Sequence, residues 1–438
     1  MINNYKRYLF YNFNKYRMKK YINKNTFDLI DEAIRLMLEF IKDNILQIIH
    51  IDLYEPCFEE TYNILHIQFI ENGLLEKLYN LPNEETSEKL LFNCVQISLS
   101  IVFKFVVPKR AYNKSYIRKN SINNYCNLDV NKEKIKLKIE NLLSIKQPEQ
   151  RTDEWYIFRN STLTASNIYK VFISEYTQTQ LILEKCEPLN INKFKVTNLN
   201  SPLHWGQKYE PVSILYYEYI NKTKVTEFGC IPHPNYSFVA ASPDGIVCDN
   251  TSHLYGRMLE IKNVVSREIT GIPKMEYWIQ MQLQMEVCDL NECDFLETKF
   301  TEYQLEEDYV NDVDIEYKGI ILQYLKNNEP YYIYAPFMLN DINSDEYKTW
   351  FDNETNNSSI DMEFIRTIYW KIEKISCILV LRNKFWFSRV LPSIELFWNN
   401  LVEERETGKY KDRIKKKRRL ELEDNRVRNG FPGNGCLI

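Results

Sequence analysis

Apolar residues recur at three- and four-residue spacing from Asp28 to about Asn44 (Ile30, Ala33, Ile34, Met37, Leu38, Ile41), which predicts an amphipathic helix. A second helical pattern runs from about Tyr62 to Leu78. The apolar run Leu90 to Val107 predicts a buried helix or strand ended by Pro108-Lys109-Arg110. This first region reads as a mainly helical accessory domain. Ser121 to Val130 is polar and Asn-rich, the composition of a linker, and a short charged helix follows from about Asn131 to Ile145. Further on, Phe228–His233, the Phe-Val-Ala-Ala before Ser242, the segment around Glu260 and Cys293–Phe300 read as strands. Val212 onward and Tyr277–Glu286 read as helices, with Glu210 near the N-terminal part of the first. Residues 302–375, with acidic patches and a Tyr-rich strand candidate (Tyr331 to Phe337), read as an insertion. Ile375–Phe387 reads as a hairpin turning at Arg382-Asn383-Lys384, and Leu391-Pro392-Ser393 opens a helix through about Glu404.

Composition narrows this picture. A chain of 438 residues has room for two domains, and its net charge of −4 carries no global basic signature, so affinity for nucleic acid rests on local patches. Two such patches exist. Residues 1 to about 24 interleave Lys6, Arg7, Lys15, Arg17, Lys19 and Lys20 with Tyr and Phe, and Lys409 to Arg419 is strongly basic. Both have a plain reading as solvated basic segments; phosphate attraction or, for the tail, nuclear import are the functional alternatives. The ten Cys are scattered without a C-x-x-C pair, which indicates reduced thiols and no secreted disulfide framework. His204, His233 and the other His residues lack ligand-like pairing and read as structural. With no signal-peptide pattern and no uninterrupted apolar span, the expectation is a soluble, intracellular protein that is not secreted.

The candidate chemistry concentrates between Ser242 and Lys262. Asp244 sits in a Pro-Asp-Gly turn, and strand alternation puts Glu260 and Lys262 on one face with Ile261 toward the core. Two carboxylates offer hard oxygens to a divalent cation, and the ammonium adds a fixed positive charge. Each piece also has a commonplace role, as a turn residue or as a surface pair worth under about 1 kcal/mol. Glu210 is placed to be a third carboxylate. Arg159 precedes Ser166 by seven residues, and a Ser166 that caps the next helix would make an anion site with that guanidinium. Tyr277, Gln280 and Gln284 share one helix face, suited to orienting a water or a phosphate.

The order of these landmarks resembles the YqaJ/lambda-exonuclease family of viral recombination nucleases, within the PD-(D/E)xK superfamily. The matching pieces are W-x-x-x-R-x-x-x-x-T-A-S (Trp155 to Ser166), W-G-x-x-x-E (Trp205 to Glu210), S-P-D-G (Ser242 to Gly245), L-E-x-K (Leu259 to Lys262) and Y-x-x-Q-x-Q (Tyr277 to Gln282). The resemblance implies an α/β (α+β) fold, a restriction-endonuclease-like core with a mixed sheet flanked by helices. It spans residues 148–406 around the 302–375 insertion, preceded by the helical domain at 1–130 and a linker helix at 131–147. A basic, flexible tail follows at 407–438.

By the same resemblance the activity is metal-dependent hydrolysis of DNA, 5′-to-3′ from duplex ends, in viral recombination. Mg2+ or Mn2+, one or two ions, would be held by Asp244, Glu260 and the Ile261 carbonyl, with Glu210 assisting. Lys262 would sit beside the attacking water, Gln280 would orient water or phosphate, and Arg159 with Ser166 would hold the terminal 5′ phosphate. Partners implied are double-stranded DNA ends, a single-strand annealing protein and copies of the chain in a ring trimer, with no membrane. The location implied is host cytoplasm, viral factory or nucleus. The sequence departs from the family pattern at Ser161, where Gly is common, and at Asn263, where a small residue and then Pro are usual. Two rivals use the same core: an internal or structure-specific endonuclease, and a catalytically silent DNA-end-binding scaffold. Retention of Glu210, Asp244, Glu260 and Lys262 favours an enzyme.

Overall fold

The computed structural model describes residues 24–43, 54–79, 84–105, 128–191, 198–199, 201–327, 329–356 and 362–413. The basic N-terminal stretch, the Asn-rich linker up to residue 127 and the tail from residue 414 lie outside the described residues. The chain divides into two compact units, Met1–Arg110 with Asn383–Ser393, and Ala111–Arg382 with Ile394–Ile438. Among the described residues no helix is long and apolar enough to cross a membrane.

The first unit contains helices α1 (Lys24–Asp43), α2 (Tyr54–Phe69) and α3 (Glu84–Phe105). The stripe Ile30, Ala33, Met37 and Ile41 is buried on α1, as the apolar spacing requires. Leu90–Val107, open between helix and strand in the sequence, lies largely within α3. There Leu91, Cys94, Val95 and Val102 are buried, and Ser98 donates to the Ile30 carbonyl at 3.2 Å.

The second unit carries α4 (Leu128–Ser144), α5 (Asp153–Asn160), α6 (Glu175–Cys186), α7 (Pro202–Asn221), α8 (Met275–Val287) and α9 (Asp345–Asn356). Helix α10 (Lys384–Thr407) falls to the first unit up to Ser393 and to the second from Ile394; at its start the Asn383 side chain accepts the Trp386 N–H at 2.8 Å. Among the described residues ten strands follow the order β1 (Leu163–Thr164), β2 (Val225–Thr226), β3 (Ile231–Pro232), β4 (Val239–Ala241), β5 (Gly245–Val247), β6 (Met258–Asn263), β7 (Glu292–Glu302), β8 (Lys318–Lys326), β9 (Glu329–Tyr334) and β10 (Met362–Leu381). They form a three-stranded sheet, β1-β4-β3, and a seven-stranded mixed sheet, β2-β5-β6-β7-β10-β8-β9. In the large sheet β6 and β7 are parallel and the other neighbours antiparallel. Leu259 and Ile261 pack into a cluster with Tyr217 and Ile214 of α7, while Glu260 meets side chains of α8, so the two helices flank opposite faces of β6. This is the mixed α/β architecture expected.

Local details depart from the sequence reading at several points. The Phe-Val-Ala-Ala segment forms a strand as read, but it lies in the small sheet as β4, and Gly245–Val247 is what pairs with Met258–Leu259. Residues 302–375, read as an insertion, contribute β8, β9 and much of β10 to the same sheet. There is no hairpin at Arg382-Asn383-Lys384: one long strand ends at Leu381, a helix starts at Lys384, and Pro392 lies inside that helix. Ser166 caps no helix, since the next begins at Lys170 behind Tyr169. Helix α7 begins at Pro202 behind a Ser201 cap, so Glu210 stands more than two turns in, away from the N-terminus.

Candidate active site

Asp244 occupies the turn into β5. The turn needs the glycine after it: a Cβ at Gly245 would lie 2.1 Å from Val225 Cγ1 of β2. Asp244 Oδ2 accepts the Ile261 N–H at 2.7 Å, tying the turn to the neighbouring strand. On β6, Glu260 is fully buried. Its Oε1 accepts from Lys262 Nζ and from Gln280 Nε2 at 2.7 Å, and its Oε2 accepts from Gln284 Nε2 at 2.6 Å. Lys262 also lies over the Tyr277 ring, 5.2 Å from its centre. Gln280 and Gln284 reach one carboxylate because they stand four residues apart on α8.

The electrostatics are those of crowded acids. Burial, then Glu260 and Glu210, push the Asp244 carboxyl well above its usual range, while Lys262 and the Ile261 N–H pull the other way. Burial likewise raises Glu210; Arg151 and Lys262 oppose this, and Glu260 and Glu227 add to it. For Lys262, burial disfavours the charge, but Glu260 and Asp244 outweigh it and hold the ammonium more firmly than in water.

Side-chain hydrogen bonds fix helix α7 on the sheet along its length. Asn263 Oδ1 accepts from Ser213 Oγ at 2.7 Å and Thr298 Oγ1 at 2.6 Å, and its Nδ2 donates to the Gly206 carbonyl at 2.9 Å. A small apolar residue at 263 could make none of these bonds. Toward the other end, Tyr217 donates to buried Asp294 at 2.8 Å, and Arg257 donates to the same carboxylate at 2.7 Å. Glu210 is thereby set at the junction of two clefts, of about 690 and 470 Å3, which share Gln207, Glu210 and Asp244 in their walls. Pro211 has no N–H for the Gln207 carbonyl, so the helix ladder is interrupted at this junction. Ile261, Lys262 and Asn263 line the smaller cleft; Glu260 lines neither.

The donor chemistry suits a hard divalent cation: carboxylate oxygens with more negative charge than nearby cations offset. Among the described residues, however, no group of three or more His, Cys, Asp or Glu side chains is placed to hold a metal ion. The structure brings Glu260, Lys262 and Gln280 into direct contact and sets Asp244 beside Ile261. Glu210 stays at the cleft junction, and the three acids do not form a ready-made nest.

Arg159 and Ser166 meet elsewhere in the unit and line neither cleft. Arg159 Nη2 donates to Ser166 Oγ at 3.0 Å, and its guanidinium lies over Trp155 at 4.4 Å from the ring centre. The end of α5 behind Arg159 is held by two cations, buried Lys185 and half-buried Arg405. Lys185 Nζ donates to the Arg159 carbonyl at 2.5 Å, and Arg405 donates to the carbonyls of Lys185 at 2.8 Å and Asn160 at 3.4 Å. Lys185 is only 4% exposed. Burial drives its ammonium down to about 8; Glu184 opposes this, and Arg159, Arg405 and Lys170 add to it.

A lysine whose folded value lies below its unfolded value of 10.5 binds fewer protons when folded, so stability rises as pH climbs through that window. Relative to Lys185→Met, the wild type should therefore gain up to about 3 kcal/mol between pH 8 and 10.5 in denaturant titrations. A pH-independent difference would contradict the assignment. Lys185 left no signal in the sequence, where it is one lysine among many. Asn263 left one, as a departure from a family pattern.

Comparison with known proteins agrees with the motif order. Residues 154–291 match the YqaJ-like viral recombinase domain. An uncharacterized protein of Acanthamoeba polyphaga mimivirus is 31% identical over 371 residues, covering 74% of this chain and 63% of that protein, so the chain spans less than two thirds of that relative's length. Among solved structures, an alkaline exonuclease from Laribacter hongkongensis is 20% identical, with 60% of this chain and 98% of that chain covered and a TM-score of 0.34. A phage-related exonuclease from Haemophilus somnus is 12% identical, with 56% and 96% covered and a TM-score of 0.30.

Proposed function

With residues 154–291 a YqaJ-like viral recombinase domain, we propose that the chain is a metal-dependent DNA nuclease that resects duplex ends from the 5′ side during viral recombination. The observation that carries this reading is Asp244, its carboxyl crowded by Glu260 and Glu210, at the meeting of two clefts with the Lys262 ammonium alongside. Asp244, Glu260 and the Ile261 carbonyl would hold Mg2+ or Mn2+, with Glu210 beside them and Lys262 releasing Glu260. When bound, the metal supplies a Lewis acid that favours loss of a proton from water and offsets charge on the phosphate.

The remaining tasks fall to side chains. Hydrolysis forms a bond from water oxygen to phosphorus, breaks the bond from phosphorus to the departing sugar oxygen, and moves one proton from the water toward that oxygen. Lys262 is held protonated, so it acts as a fixed cation for the phosphate and not as the base. Gln280 keeps its carbonyl oxygen for a water or phosphate-bound proton while its amide holds Glu260. Arg159 and Ser166 supply a guanidinium and a hydroxyl to a terminal phosphate, the pairing that suits a dianion. Duplex ends are the substrate, a single-strand annealing protein takes the exposed strand, and copies of the chain assemble as a ring around the duplex inside the infected cell.

The test is digestion of 5′-phosphorylated linear, 5′-hydroxyl linear and closed circular duplex with Mg2+ present. Linear DNA should be degraded and circular DNA spared, and Arg159→Ala should lower the rate on phosphorylated ends by about tenfold or more while changing hydroxyl ends little. Cleavage of the circle would replace the exonuclease with an endonuclease. Equal loss on both ends would remove Arg159 from end recognition.

A further inference from the structure

We propose that the larger cleft, between α7 and β9, is a nucleotide subsite adjoining the phosphate to be cut: Arg151 takes the neighbouring backbone phosphate, and His204, Tyr332 and Tyr156 flank the attached base. The position of that phosphate rests on the nuclease reading; the subsite rests on four features of its own.

Arg151 is exposed at the cleft wall and has no ion-pair partner among the described residues. Its φ of 69° is a left-handed conformation that a long side chain adopts only at a conformational cost. Its charge is felt at Glu210, so the guanidinium stands near the acidic junction.

His204 is 6% exposed and lines the same cleft. Its Nε2 shares a 2.7 Å hydrogen bond with Tyr332 Oη, while Nδ1 has no partner. Buried polar atoms are nearly always satisfied, so an unpaired ring nitrogen in a cleft wall points to a ligand group that pairs with it. Burial, helped by Lys208 and Arg151, lowers the imidazole's pKa and favours the neutral ring.

The wall is also prearranged. Gln150 donates to the Phe228 carbonyl at 3.0 Å, Gln147 accepts the Gly229 N–H at 2.7 Å, and Tyr334 donates to the Lys208 carbonyl at 2.8 Å. These side chains brace the wall, and His204 and Tyr332 hold one another with ring centres 5.8 Å apart.

Finally, charge limits what fits. Lys208 is neutralised by Glu302, and Glu149, Glu227 and Glu329 add acceptors to the lining. A run of phosphates is repelled there. A base with amino donors, carried by one phosphate at Arg151, is not, and rings beside it accept any base face. The volume of about 690 Å3 lies within the ~300–1,000 Å3 of ligand pockets.

Equilibrium binding of a 5′-phosphorylated single strand of about six nucleotides to the full chain carrying Asp244→Asn tests this, read by fluorescence anisotropy across a salt series. Arg151→Asn is the variant of choice because Asn tolerates the left-handed backbone. It should weaken binding about tenfold and reduce the slope of log K against log salt by about 0.7, one phosphate contact on a single strand. Arg151→Lys should restore the slope. Wild-type Arg151 should also prefer the normal strand to an abasic one, and Tyr332→Ala should erase that preference. An unchanged slope in Arg151→Asn, or equal affinity for normal and abasic strands, overturns the subsite. Hydrolysis by protein with Asp244 intact reports on the nuclease reading separately: activity with an unchanged slope sinks only the subsite, and a lowered slope without activity sinks only the nuclease.

Discussion

Asp244→Asn is expected to reduce DNA hydrolysis by at least about a thousandfold while leaving duplex binding within about twofold. The amide is close in shape to the carboxylate, and its oxygen can still accept the Ile261 N–H that ties the turn to β6. What disappears is the negative charge. That charge is costly in the folded protein, since burial, Glu260 and Glu210 all act against it. The variant should therefore fold at least as stably as the wild type. Loss of activity with a retained or raised melting temperature separates a chemical role from a structural one. Retained hydrolysis would remove Asp244 from the reaction.

Arg257→Met should destabilise the second unit by about 3–5 kcal/mol, the cost of stranding a buried charge. Asp294 is fully buried, and Arg257 bridges it to Glu292 with bonds of 2.7–3.0 Å. Tyr217 alone cannot neutralise the carboxylate that remains. Because Tyr217 belongs to α7, the damage reaches the helix that sets Glu210 over the clefts. Adding Asp294→Leu should recover most of the loss, since an apolar pair replaces a buried ion pair at little cost. Denaturant midpoints of the three proteins decide this. A single-variant loss under about 1 kcal/mol would mean the network does not carry this load.

The parts of this fold that were legible are those where periodicity and position coincide. The α8 face with Gln280 and Gln284, the buried stripe of α1 and the Glu260–Lys262 alternation follow from spacing of four and of two. Elsewhere one residue type serves two purposes. Asn383 looks like a turn residue and is a helix cap; Ser166 looks like a cap and holds a guanidinium. Long β10 hides its own character, because register shifts near Phe364/Arg366 and Ile372/Lys374 break the alternation of a single strand. Edge strand β9 carries exposed Tyr331 and half-buried Tyr332 and Tyr334 in place of an apolar run, so its place in the main sheet was not legible. For the candidate site, the sequence names residues and leaves their arrangement open. Nothing local to Glu260 announces that its acid is enclosed by an ammonium and two amides from α8, or that Glu210 alone among the raised acids shares the cleft junction with Asp244.

The central claim is that these acids take up a divalent cation. Calorimetric titration of Mg2+ or Mn2+ into the full chain, with Asp244→Asn and Glu260→Gln in parallel, measures it without reference to DNA. Saturable binding by the wild type that disappears in both variants is the expected result. No saturable binding, or the same binding in all three proteins, would contradict it.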